Sequence, residues 1–195
     1  GAEGMVVSAF PPDRSLEGKS IAQIANEWGV DVPETLIRMY ERHDFFAVVH
    51  NMRDDDVDMI AGSPWISVAS DGSSLSIEGR LSSGKPHPRN FGCFPRFLAH
   101  YVRERKVVSL EEGVRKMTSL PAQRLGLTSR GRLVPGYWAD VTLFDADKVQ
   151  DVDTFQNPHA YPLGISHVIV NGVLAVHDGR FTGKTPGRVI RDFDD

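Results

Sequence analysis

Two residues and a neighbour have the types and positions for acid–base and anion-binding chemistry: Asp71, Arg89 and His50. Asp71 closes the strand-like run Trp65-Ile-Ser-Val-Ala-Ser-Asp71-Gly72. A carboxylate at the C-terminal end of a buried strand is where a (β/α) barrel builds its catalytic rim. The same Asp-Gly pair also suits an Asx-turn, in which the carboxylate folds back on its own backbone. Residue types alone leave both readings open. His50 follows the apolar run Phe45-Phe-Ala-Val-Val49, which places it at the same rim, either against substrate or as a structural hydrogen-bonding group. Arg89 stands in His87-Pro88-Arg89, where a loop arginine in a surface ion pair is the plain alternative to an anion receptor.

Other ionisable and sulfur-bearing residues have simpler explanations. Asp54-Asp55-Asp56 precedes Val57, Met59 and Ile60, so it reads as the acidic first turn of a short helix. His87 beside Pro88 fixes its loop, and Cys93 is a small buried residue in a turn-to-helix segment. Trp65 and Trp138 read as packing residues. The seven histidines show no metal-ligand spacing, and His-x-His is absent.

The elements that must position these residues follow from periodicity. Met5 to Phe10 is a short apolar run stopped by Pro11-Pro12. Apolar residues at 21, 24, 25 and 28 predict a helix ended by Gly29. Pro33-Glu34 opens another, with Leu36, Ile37 and Tyr40 on one face. Phe45–Val49 and Ile66–Ala69 read as strands buried on both faces, as in a parallel sheet. With the helix between them they would form a βαβ unit. Gly72 to Pro88 is a long polar loop, and loops of this length are usually functional or disordered. Phe94 to Val108 predicts a helix with Phe97, Leu98, Tyr101 and Val102 inward. Ser109-Leu-Glu-Glu112 is a capping box. After Gly126 the texture turns to strands, with Asn171-Gly172 as a hairpin turn.

The organisation expected is a helical insert or connector over residues 1–43, the last βα units of a barrel over 44–125 and a small β domain over 126–195. The fold class expected is therefore α/β: the C-terminal part of a (β/α)8 barrel followed by a small β domain. Two barrel strands fall short of the eight strands and about 250 residues that a closed barrel needs.

Composition narrows the partners. The chain has 195 residues, 41% of them hydrophobic and 25% charged, with a formal net charge of −4. Its pI of about 6.0 carries no basic field for nucleic acid. No 18-residue apolar run offers a membrane span. One cysteine excludes an internal disulfide and agrees with a reducing, cytoplasmic location.

Ser70-Asp71-Gly72, His87-Pro-Arg89-Asn-Phe-Gly-Cys-Phe-Pro-Arg96, Lys116-Met-Thr-Ser-Leu-Pro121 and Gly136-Tyr-Trp-Ala-Asp140 together resemble the N-acyl-D-amino-acid deacylases, or D-aminoacylases, of the amidohydrolase superfamily. His167-Val-Ile-Val-Asn-Gly172 and Thr182-Gly-Lys-Thr-Pro-Gly-Arg188 extend the similarity, which covers nearly the whole chain. The resemblance implies a zinc-dependent hydrolase of N-acyl-D-amino acids. It implies that Asp71 is the catalytic acid–base and a metal ligand, that Arg89 binds the substrate carboxylate, and that His50 lies near the substrate. It also implies that most zinc ligands lie outside this chain, which would then be a C-terminal fragment, inactive and without zinc alone. Its partner would be the missing N-terminal part or a second copy, since unpaired strand edges template new pairing. Two other readings stand beside this one. One is another amidohydrolase, dihydropyrimidinase- or dipeptidase-like; the other is a non-catalytic assembly domain.

Overall fold

The computed structural model describes residues 1–190 and divides the chain into two compact units. The first unit comprises Gly1–Arg53, Asp71–Phe91 and Asp153–Tyr161. Strand β1 (Met5–Ala9) pairs antiparallel with β2 (Phe46–Val49), in the register Met5↔Val49 and Val7↔Ala47. The parallel βαβ pairing expected for β2 is therefore corrected: the run stopped by Pro11-Pro12 is its partner. Among the described residues only one strand flanks β2, and Phe46 and Val49 are exposed rather than buried on both faces.

Helix α1 (Ile21–Trp28) starts on a reciprocal cap, in which Ser20 accepts from the Gln23 amide and Gln23 accepts from the Ser20 amide. It stops at Gly29, whose φ of 66° is a left-handed conformation that a β-carbon disfavours. Helix α2 (Val32–Arg42) is capped by Asp31, with a 2.8 Å bond from the Glu34 amide. Its inward face differs from the one periodicity suggests. Thr35 and Met39 are buried, whereas Ile37 and Tyr40 face outward. Val7, Phe10, Leu16, Ile21, Ile24 and Met39 close around one another, each no more than 2% exposed. These six residues all fall within the first 43.

The second unit comprises Asp54–Ser70, Gly92–Val152 and the chain from Pro162 onward. Helix α3 (Asp54–Gly62) bears its three acids in the first turn, where they complement the helix dipole. Helix α4 (Arg89–Arg96) starts five residues before the helix expected at Phe94, and it passes into a π-helix over Phe97–Glu104. Pro95 explains the change of winding, since proline removes an i→i−4 donor and crowds the preceding turn. Helix α5 (Leu110–Met117) is capped by Ser109, while the Glu112 carboxylate turns to Arg115 at 2.7 Å rather than back to the cap. Helix α6 (Ser119–Arg124) follows.

Residues 66–69 do not form the expected strand. A strand needs a ladder, and here the carbonyls of the preceding stretch are taken by side chains. Lys116 Nζ donates to Ser63 O and, at 2.8 Å, to Ile66 O. Arg115 donates to Pro64 O and Arg124 to Trp65 O. The Val68 amide goes to Lys116 O at 3.1 Å. Lys116 is fully buried at the centre of this grip, whereas the Trp65 side chain, expected to pack, is 74% exposed.

The strand-rich end forms an antiparallel meander, β3 (Val141–Phe144), β4 (Ile165–Val170), β5 (Val173–His177) and β6 (Arg180–Phe181), in that order. Two tight turns join its last three strands. Asn171-Gly172 has φ values of 50° and 77°, and Asp178-Gly179 has 48° and 73°. Positive φ at both central residues matches the twist of a two-residue hairpin. Asp140 stabilises the first turn by accepting the Asn171 amide at 2.8 Å. The guanidinium groups of Arg130 and Arg188 lie over the Trp138 ring, 5.0 and 3.9 Å from its centroid. The Gly-Tyr-Trp-Ala-Asp motif is accordingly structural here. Among the described residues, no helix is long and apolar enough to cross a membrane.

Candidate active site

Asp71 and Arg89 meet within the first unit. Arg89 Nη2 donates to Asp71 Oδ2 at 2.7 Å. Asp71 takes φ = 47°, a left-handed conformation that Asp tolerates better than most residues but that still costs energy. Its side chain is 86% exposed, and that of Arg89 is 42% exposed. An open ion pair of this kind contributes only about 0–1 kcal/mol. A ligand carboxylate can therefore compete for the guanidinium at small cost.

Arg89 is held by the start of α4. Its amide donates to His87 Nδ1 at 3.0 Å, so that nitrogen carries no proton. Asn90 ties two segments together: its Nδ2 donates to His87 O at 2.7 Å, and its Oδ1 accepts the Ser73 amide at 2.6 Å. The turn carrying Asp71 and the turn carrying Arg89 are thus bridged by one amide side chain. The intervening loop is anchored as well, because the Lys85 amide donates to Ser8 O on β1 at 2.6 Å.

His50 reaches the Asp71–Arg89 pair only indirectly. Its ring packs edge-on against Phe155 at 4.3 Å, and His87 packs against the same ring at 5.0 Å. Phe91 similarly meets His159 and Tyr161. The segment 153–161 is a part of this neighbourhood that sequence reasoning missed. Its only signal is the aromatic spacing Phe155, His159 and Tyr161, which has no local periodicity.

Burial, then the charges of Arg89 and His50, push His87 below the ordinary histidine range. Its folded-state pKa is lower than its unfolded one, so its contribution to stability is whole above the ordinary histidine value. That contribution is lost as pH falls through the lowered folded value. The imidazole resonance of His87 is expected to titrate below the ordinary histidine midpoint, with the Arg89 amide shift following it. A titration at or above that midpoint would show that His87 is not the acceptor holding Arg89.

The surroundings of Asp71 do not make a metal centre by themselves. Its carboxylate is engaged by a cation. Among the described residues, the sole group of three or more metal-binding side chains is His167, His177 and Asp178, in the other unit. Cys93 lies in that unit too, its thiol donating to Ala69 O at 3.6 Å, a half-buried packing position.

Three curated proteins of Alcaligenes xylosoxydans xylosoxydans are similar to this chain. An N-acyl-D-glutamate deacylase is 39% identical over 92% of the chain. A D-aminoacylase is 34% identical over 95%, and an N-acyl-D-aspartate deacylase is 37% identical over 91%. The chain spans about a third of the length of each, 34–36%. Among solved structures, a D-aminoacylase with a binuclear metal centre superposes with a TM-score of 0.82 and 34% identity. It is matched over 92% of this chain and 36% of its own. An N-acyl-D-glutamate deacylase from Bordetella bronchiseptica, complexed with zinc and a phosphonate inhibitor, gives 0.80 and 36% over the same shares. The profile of the amidohydrolase family matches residues 79–176, about half of the chain, and the chain belongs to that family.

Proposed function

We propose that this chain is the C-terminal section of an N-acyl-D-amino-acid deacylase, a hydrolase that splits an N-acyl-D-amino acid into a carboxylate and a D-amino acid. The observation that carries the reading is the 2.7 Å contact between Asp71 and Arg89, which sets a proton carrier beside a carboxylate receptor. Arg89 holds the substrate α-carboxylate through its planar fork of donors. Substrate binding takes Arg89 away from Asp71 and leaves that carboxylate as an acceptor. Asp71 then removes a proton from the water that adds to the amide carbon, and returns it to the leaving nitrogen as the C–N bond breaks. His50, with His87 and Phe155, lines the approach.

Zinc is the metal proposed for the complete enzyme, because the Bordetella relative holds it. This chain would contribute Asp71 at most, and the other ligands belong to residues outside it. The D configuration rests on the named relatives. The last barrel units over 44–125, the small β domain over 126–195 and a cytoplasmic location are proposed with it. A dihydropyrimidinase- or dipeptidase-like reading is less favoured, since the relatives above are all deacylases.

The test concerns Arg89 in an enzyme that contains this chain. Arg89→Ala is expected to raise KM about 10–100-fold for N-acetyl-D-amino acids, the worth of hydrogen bonds to a charged group. It should leave turnover of the matching α-carboxamide, already poor, nearly unchanged. If the variant still prefers carboxylate over carboxamide by the original factor, Arg89 is not the receptor and the reading loses its support.

A further inference from the structure

The β4–β5 pairing creates a juxtaposition that spacing along the chain conceals. His167 on β4 and His177 on β5 face each other with ring centroids 4.9 Å apart. Asp178 heads the turn into β6. His167 Nε2 is 3.7 Å from Asp178 Oδ1, and His177 Nε2 is 3.5 Å from Asp178 Oδ2. One donor atom from each of the three lies within 4.8 Å of the others.

These separations are long for hydrogen bonds, which hold heavy atoms near 2.7–3.2 Å. They suit two ligands of one ion. Ligands about 2.0–2.1 Å from a tetrahedral zinc lie roughly 3.3 Å apart. We propose that His167, His177 and Asp178 form a binding site for a divalent transition-metal ion, best filled by zinc, that ties β4 to β5 and to the turn before β6. Nε2 of each imidazole and the Asp178 carboxylate, whose two oxygens each face one histidine, would be the ligands, with water completing the coordination. Two imidazoles and one carboxylate form a borderline donor set that favours zinc, copper or nickel over calcium or magnesium. The backbone presents the set in advance. Strand pairing aligns the two histidines, and the left-handed conformation of Asp178, φ = 48°, belongs to its hairpin. His167 is half-buried, while His177 and Asp178 are exposed, so the ion has an open path.

The site lies in the second unit and owes nothing to Asp71. Its role is to brace the meander, independently of the deacylase reading. The test is titration of the 195-residue chain, stripped by chelator, with zinc chloride at neutral pH. One equivalent is expected to bind, with perturbed imidazole Nε2 resonances for both His167 and His177. His177→Ala and Asp178→Asn, both at exposed positions, should each weaken binding at least about 10-fold, since even outer-shell changes at metal sites cost 10–100-fold. Asp71→Asn should leave it unchanged. No binding, or binding that survives His177→Ala or disappears with Asp71→Asn, overturns the proposal.

Discussion

In an enzyme containing this chain, Asp71→Asn is expected to lower kcat by about 10²–10⁴-fold, the usual worth of a positioned general acid–base, while KM stays within a few-fold. Asparagine keeps the shape of aspartate and can still accept a hydrogen bond from Arg89. It cannot take a proton from water and return it to an amine at working pH. Loss of turnover with binding retained is therefore the signature of the proposed role. The exposure of Asp71 sharpens the experiment. Its side chain is 86% exposed and its ion pair lies open to solvent, so the substitution should hardly change thermal stability. A variant that unfolds early, or one whose kcat stays within about 10-fold of the parent, contradicts the assignment.

Lys116→Met is expected to have the largest effect on folding. Lys116 is fully buried and its ammonium donates to the carbonyls of Ser63 and Ile66. Hydrogen bonds to a charged group contribute about 1.5–3 kcal/mol each, and their loss leaves Ser63 O with the Ile66 amide alone and deprives Ile66 O of its ammonium donor. The relief of desolvation on removing a buried charge offsets part of this. A net loss of about 3 kcal/mol would lower Tm by roughly 6–12 °C for a chain of this size. Thermal and urea unfolding of the two proteins measures it. Proton linkage gives a second readout. Burial pushes the Lys116 amine below the ordinary lysine value. Over the interval from that lowered value up to the ordinary one, the unfolded state binds more protons, so stability rises with pH. The methionine variant should lack that alkaline rise. Equal stability and equal pH profiles would show that Arg115 and Arg124 hold the segment without Lys116.

Lys116 also shows where sequence reading stopped. The helix from Ile21 to Trp28 is legible because its signals are local: an apolar face and a terminating glycine. The Asn171-Gly172 turn was legible for the same reason. What distant residues decide was not. Ile66–Ala69 has the composition of a strand, but its neighbourhood supplies cations and no ladder. Phe46–Val49 is a strand, and its partner is the distant run Met5–Ala9 in an antiparallel sense. The same limit applied to chemistry. Asp71 and Arg89 were picked by motif, and the structure brings them together. Phe155, the ring between His50 and His87, carries no motif. His167 and His177 are ten residues apart, a spacing without meaning until β4 and β5 pair.

The clasp formed by Asn90 separates two problems that an evolving protein usually faces together. With Ser73 and His87 both fastened to one amide, the polypeptide between them begins and ends at the same place. The entropy of closing such a loop grows only slowly with its length. Insertions and deletions between Gly72 and Pro88 can therefore accumulate while the carboxylate and the guanidinium keep their spacing. Selection is left free to redraw what surrounds the reacting groups without redrawing the groups themselves.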